Sequence, residues 1–148
     1  MSAVENKAVV RKFFDECWNK GNLAVLDEIM EPEVSHNDEH ITLGHWRRGI
    51  SDWLTAFPDF RYHVDRLVAE GDIVAAKTHF TGTHRGVFHL GTLGPVPPTG
   101  KSIDEKEMFF FRLAEGKIVE IWVSWEDITH VLFAQQLGGD QPQAATTT

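Results

Sequence analysis

Two carboxylates two residues apart, Glu105 and Glu107, stand just ahead of the run Phe109-Phe110-Phe111. Successive side chains of an extended strand point to opposite faces, so Ile103, Glu105, Glu107, Phe109 and Phe111 share one face. A carboxyl group walled by Phe109, Phe111 and Trp125 would lose hydration. That disfavours its charged form and brings its titration toward neutral pH, where it can take up and return a proton. Glu107, nearest the rings, is the candidate acid or base. The alternative is that Glu105 and Glu107 lie at an open rim, solvated or paired with Lys77 or Lys101. Lys77 and His79 form a second pair with the same spacing. An imidazole facing Glu107 across strands would make a proton-transfer couple, because imidazole titrates close to working pH; the alternative is a solvent-facing strand end.

His36, Asn37, Asp38 and His40 are the third group, and His36 or Asn37 could polarise a substrate carbonyl. A metal site on His36 and His40 is disfavoured, because strand residues four apart share a face without converging and no further ligand set has recognisable spacing. Trp53, Phe57, Phe109, Phe111 and Trp125 could line a cavity for a flat ligand, although rings at such spacings also build core. Cys17 falls on the apolar side of a predicted helix and reads as a small buried hydrophobe rather than a nucleophile. His84, beside Arg85, fits a lid or a turn. His45, His63, His89 and His130 read as surface positions.

These residues need elements to hold them. Apolar positions from Val4 to Trp18 recur at helical spacing and stop at Asn19-Lys20-Gly21. A second short helix is predicted from Asn22 to Met30, a short strand or loop from Glu33 to His40, and a third helix from Leu43 to Phe57, stopped by Pro58. After Pro58 the period changes to two. Strands are predicted over Phe60–Val68 and Ile73–Thr83 around Glu70-Gly71-Asp72, then over Lys101–Leu113 and Lys117–Trp125 around Ala114-Glu115-Gly116. On the return arm Val119, Ile121, Val123 and Trp125 are expected on one face. A Gly- and Pro-rich loop or lid, THRGVFHLGTLGPVPPTG, precedes the long hairpin. A short C-terminal helix is predicted from Asp127 to Leu137, and the polar tail 139–148 should be frayed. The pattern is α+β: helices packed on one face of a curved antiparallel sheet, a single domain over 1–138.

The 148 residues carry 14 Lys and Arg against 22 Asp and Glu, a net charge of -8. That balance argues against nucleic-acid or anionic-membrane partners, which require clustered cations. One cysteine excludes an intramolecular disulfide and a cysteine-based zinc site. No apolar run approaches the ~20 residues of a membrane span, and no signal peptide is visible, so a cytoplasmic protein is expected. Gly-x-Ser-x-Gly and phosphate-loop motifs are absent.

The segments NKAVVRKFFDECWNKGNLAVLDEIMEPEV, AFPDFR, LVAEGDIVAAKTHFTGTHRGVF, PPTGKSI and FFFRLAEGKIVEIW, in this order, resemble the SnoaL-like polyketide cyclase or ester cyclase family of the nuclear transport factor 2-like superfamily, from about Asn6 to Gly138. The resemblance implies a cone of curved sheet (cystatin-like) cupping three N-terminal helices, a deep apolar pocket for a hydrophobic small molecule, no cofactor, and a homodimer paired through the outer sheet face. It also implies a pocket carboxylate serving as general acid and base for aldol ring closure. The chain departs from the family pattern where it matters. Cyclase-type relatives carry Glu-His-Trp-Asp where this chain reads Glu120-Ile121-Trp122-Val123, and Phe109 stands where relatives place a pocket Asp.

With the usual acid missing, Glu107 is the expected substitute, His79 its partner, and His36 or Asn37 the polarising group. Trp53, Phe57, Lys77, Glu105, Phe109, Phe111, Ile121, Val123 and Trp125 are expected to contact substrate. The expected activity is cofactor-free proton transfer on an apolar carbonyl compound, by aldol cyclisation, isomerisation or a related step. The alternatives are a binding protein that kept the cone and lost the acid, and an epoxide hydrolase-like enzyme.

Overall fold

The computed structural model describes residues 2–89, 95–125, 133, 136 and 137. Helix α1 (Ala3–Lys12) starts on a capping box, with the Ser2 side chain accepting from the Glu5 backbone and the Glu5 carboxylate accepting from the Ser2 backbone. It continues into a π-helical turn over Phe13–Trp18, which buries Phe13, Phe14, Cys17 and Trp18 together. Gly21, at φ 66°, ends the segment. A 3-10 turn at Leu23–Val25 leads into the short α2 (Leu26–Ile29). The predicted strand or loop after it is a hairpin, β1 (Met30–His36) and β2 (Glu39–Thr42), whose turn residues Asn37 and Asp38 both have positive φ, 48° and 71°. Helix α3 (Leu43–Ala56) is capped by Thr42, whose hydroxyl accepts from the His45 backbone at 3.2 Å.

The second half is strand. β3 (Arg61–Glu70) and β4 (Ile73–Thr83) form one hairpin; β7 (Ser102–Ala114) and β8 (Lys117–Val123) form the other. Between them the short pair β5 (Phe88–His89) and β6 (Pro95–Val96) occupies the predicted lid region. Gly86 is required there: a Cβ would stand 2.2 Å from the Thr55 carbonyl oxygen. The backbone N–H groups of Arg85 and Gly86 both donate to the Ala56 carbonyl, tying this loop to the end of α3.

The six long strands make one sheet in the order β2-β1-β8-β7-β4-β3, with the helices against its inner face. The sheet is mixed rather than wholly antiparallel, because β1 pairs parallel with β8. Along β7 the buried residues are Ile103, Glu107, Phe109, Phe111 and Leu113, as the alternation demands. On β8 the expected phase fails in the first half. A bulge lets Arg112 oppose Glu120 while Leu113 opposes Ile118, so Ile118 is buried and Val119 is only half-buried. Phase is restored by Ile121, which faces Phe111.

Cys17 is fully buried, and burial pushes its thiol up to about 12, which removes it as a nucleophile. The predicted C-terminal helix and tail fall outside the described residues, apart from Phe133, Gln136 and Leu137; Phe133 and Leu137 are buried. Among the described residues no helix is long and apolar enough to cross a membrane.

Candidate active site

Sheet and helices enclose a cavity of about 190 Å³ whose wall is almost entirely aromatic and aliphatic. Helix α3 supplies one side of it, with Trp46, Gly49 and Trp53 following one another at helical spacing. The sheet supplies the other, through Phe80, Phe109, Val123 and Trp125. Trp53 is the hub of the rings, with Phe80 and Trp125 both edge-on to it at 5.4 and 5.8 Å.

Among the described residues Glu107 is the only carboxylate in this wall, and it is 7% exposed. Its Oε1 accepts a hydrogen bond from the Tyr62 hydroxyl at 2.6 Å. Burial raises its pKa from 4.5 to about 7, and the charge of Glu105 adds to that, while the Tyr62 hydrogen bond pulls the other way. Tyr62 is itself held well above its ordinary range, first by burial and then by the Glu107 charge, so it remains a donor.

Tyr62 was not expected from the sequence. It is the single tyrosine of the chain and lies on the inward face of β3, where a buried phenol needs a partner; that was the available signal. Its position is set by Asn19 at the end of the π-helical turn, whose side-chain amide donates to the Tyr62 carbonyl at 3.0 Å and accepts from the Tyr62 N–H at 2.7 Å.

His79 and Lys77 do not belong to the site. Register pairs Thr78 with Glu107, while His79 faces Lys106 and Lys77 faces Met108. Directly opposed residues share a face, and the alternation that buries Ala76, Thr78 and Phe80 sends Lys77 and His79 outward. His79 there stacks on His63 at 4.4 Å and bonds Asp65 at 2.8 Å.

His36 does line the cavity, its ring 5.0 Å from that of Trp46. Asn37 does not. Its amide is spent on backbone, accepting from the Val123 N–H at 2.8 Å and donating to the Val123 and Trp125 carbonyls, which locks the β1–β2 turn to the end of β8. Phe57, Phe111 and Ile121 are fully buried core behind the wall, and Glu105 is half-buried outside it. Trp53, Phe109, Val123 and Trp125 line the cavity. His45, read as a surface residue, also reaches its edge. His36 and His40 do not converge, since His36 opposes Glu39 and His40 opposes Ser35. No group of three or more His, Cys, Asp or Glu among the described residues is gathered for a metal ion.

The profile of the SnoaL-like polyketide cyclase family matches residues 8–135. The chain belongs to the SnoaL-like polyketide cyclase family. Solved SnoaL-like structures agree with its fold. AclR of Streptomyces galilaeus, a hydroxylase candidate, superposes with a TM-score of 0.74 at 27% identity, covering 93% of this chain and 98% of that one. A SnoaL-like polyketide cyclase candidate from Jannaschia gives 0.73 at 27% identity, covering 89% and 92%. TsrD of Streptomyces laurentii gives 0.75 at 23% identity, covering 93% and 98%, and supports the fold alone. A search of curated proteins finds no match. Within this SnoaL-like cone, Phe109 and Val123 both face the cavity and leave Glu107 as the sole acid there among the described residues.

Proposed function

We propose that this SnoaL-like chain catalyses proton transfer on an apolar carbonyl compound, with Glu107 as general base and then general acid. The observation that carries the reading is a buried carboxyl whose burial raises its pKa to about 7, alone among the described residues in the wall of an aromatic cavity. An acid with a pKa near the working pH has a substantial share of both forms available, which suits it to remove a proton at one step and return it at another. Ionised Glu107 takes the proton from the carbon next to a substrate carbonyl. The enolate oxygen is met by an N–H of His36 or His45, both of which line the cavity, and the enolate carbon either attacks a second carbonyl or is reprotonated elsewhere. Glu107 then gives its proton to the new alkoxide or carbon, so the carboxylate is regenerated. Tyr62 stays protonated and holds Oε1, which leaves Oε2 for substrate.

The test does not require the natural substrate. Exchange of the α-protons of 2-tetralone in D2O, followed by proton NMR, should be accelerated by the protein and fall about a hundredfold or more in Glu107→Gln, while His79→Ala leaves it unchanged. A wild-type chain that binds 2-tetralone without exchanging it supports the second reading, a binding protein, which the apolar Phe109 and Val123 favour. The described wall contains neither Asp nor Arg, so it offers no Asp-Arg-Asp set for epoxide opening.

A further inference from the structure

Gly49 has an identity that the folded chain does not account for. It lies inside α3 (Leu43–Ala56), where glycine is the least favourable residue after proline. It is not among the glycines with positive φ. A Cβ built on it meets no atom within 4 Å among the described residues, in contrast to Gly86, which is pressed against Thr55. Neither backbone conformation nor close packing therefore asks for glycine. Gly49 nevertheless lines the cavity and is exposed, which places it at the mouth. Residues three and four apart share a helix face, so His45, Trp46, Gly49 and Trp53 form one row, with Gly49 a notch between the two indoles. Side chains on a helix lean toward its N-terminus, so any group at position 49 would cover the opening beside His45 and Trp46.

The cavity itself is small. At about 190 Å³ it only modestly exceeds the ~150 Å³ engineered cavity that accepts benzene, room for about one substituted ring. A larger molecule must project out through the mouth. Among the described residues no Lys or Arg lines the wall, and Glu107 does, so an anionic group inside would be desolvated without a counter-charge from them. We infer that Gly49 is a specificity-determining residue, kept bare so that an uncharged flat ketone can place one ring beside Glu107 and pass the rest of its length across the helix backbone. This rests on the carbonyl reading of the cavity above.

Two ketones test it. Acetophenone is a single substituted ring; the fluorescent 6-propionyl-2-dimethylaminonaphthalene, a fused pair of rings with two substituents, exceeds the room that about 190 Å³ offers. Affinities are measured for wild type, Gly49→Ala and Gly49→Leu, by proton NMR line broadening and by fluorescence. The ratio of the long ketone's affinity to that of acetophenone should fall about tenfold or more in Gly49→Leu, as expected for overpacking of a closed contact. It should fall by a smaller factor in Gly49→Ala, while the melting temperature of that variant rises by about 2–4 °C. An unchanged ratio in folded Gly49→Leu overturns the inference and leaves the carbonyl reading intact. Should that variant not fold, an unchanged ratio in Gly49→Ala has the same force. A wild type that binds neither ketone removes the carbonyl reading, and this inference with it.

Discussion

Replacing Glu107 by Gln keeps the shape of the side chain and an oxygen for the Tyr62 hydroxyl, and removes only the charge. The wild-type carboxyl holds its proton up to about pH 7 when folded, against about 4.5 when unfolded. Across that window the folded chain binds more protons than the unfolded one, so the Glu107 contribution to stability is present below pH 4.5 and is lost as pH rises through 7. At ~1.4 kcal/mol per pH unit, the displacement amounts to roughly 3 kcal/mol of destabilisation once Glu107 is ionised. Because the group is 7% exposed, little of this is screened by water. Glu107→Gln should therefore match the wild type near pH 4.5 and exceed it by roughly 3 kcal/mol at pH 8, about 6–12 °C in melting temperature for a chain of this size. Urea unfolding followed by tryptophan fluorescence across pH 4.5–8 measures the difference. Parallel stability profiles would mean that Glu107 ionises like a solvent-exposed carboxyl, and the proposed neutral-pH acid and base would lose its physical basis.

Tyr62→Phe keeps the ring and deletes the 2.6 Å hydrogen bond to Glu107. That bond lowers the Glu107 pKa, so the rising, low-pH limb of the 2-tetralone exchange profile should move to higher pH in the variant, with about 1–3 kcal/mol lost at pH 8 from the unpartnered carboxylate; a limb that does not move would show that the phenol leaves the acid untouched. The outer sheet face exposes Met108 and Phe110, each at 52%, and we propose it as the homodimer surface that the family resemblance implies. Light scattering should give a dimer for the wild type and a monomer for Phe110→Lys, and a wild-type monomer would remove the proposal.

Much of the frame was legible because it depends on local period. Alternation along Ile103–Leu113 and Ile73–Thr83 set which residues face inward, and Pro58 marked where helix gives way to strand. The β8 phase differs from simple alternation because a bulge leaves no mark in a run such as Ile118–Val123, where apolar residues stand on both sides of Glu120. In the sequence alone Asn37, a polar residue beside His36, looks like a substrate contact. Its positive φ and its three bonds to Val123 and Trp125 make it a turn residue instead.

The sequence by itself determined that Glu107 shares a face with Phe109 and Phe111, since that follows from the two-residue repeat of one strand. Which groups meet Glu107 across space was decided only by register and packing. The pairing of Thr78 with Glu107 sent His79 to the outer face, and the Asn19 bridge brought Tyr62, 45 residues away, to within 2.6 Å of the carboxylate. A one-residue change in strand pairing exchanges the two faces of a sheet, so partners across strands are fixed by the whole assembled core and not by any stretch of chain read alone.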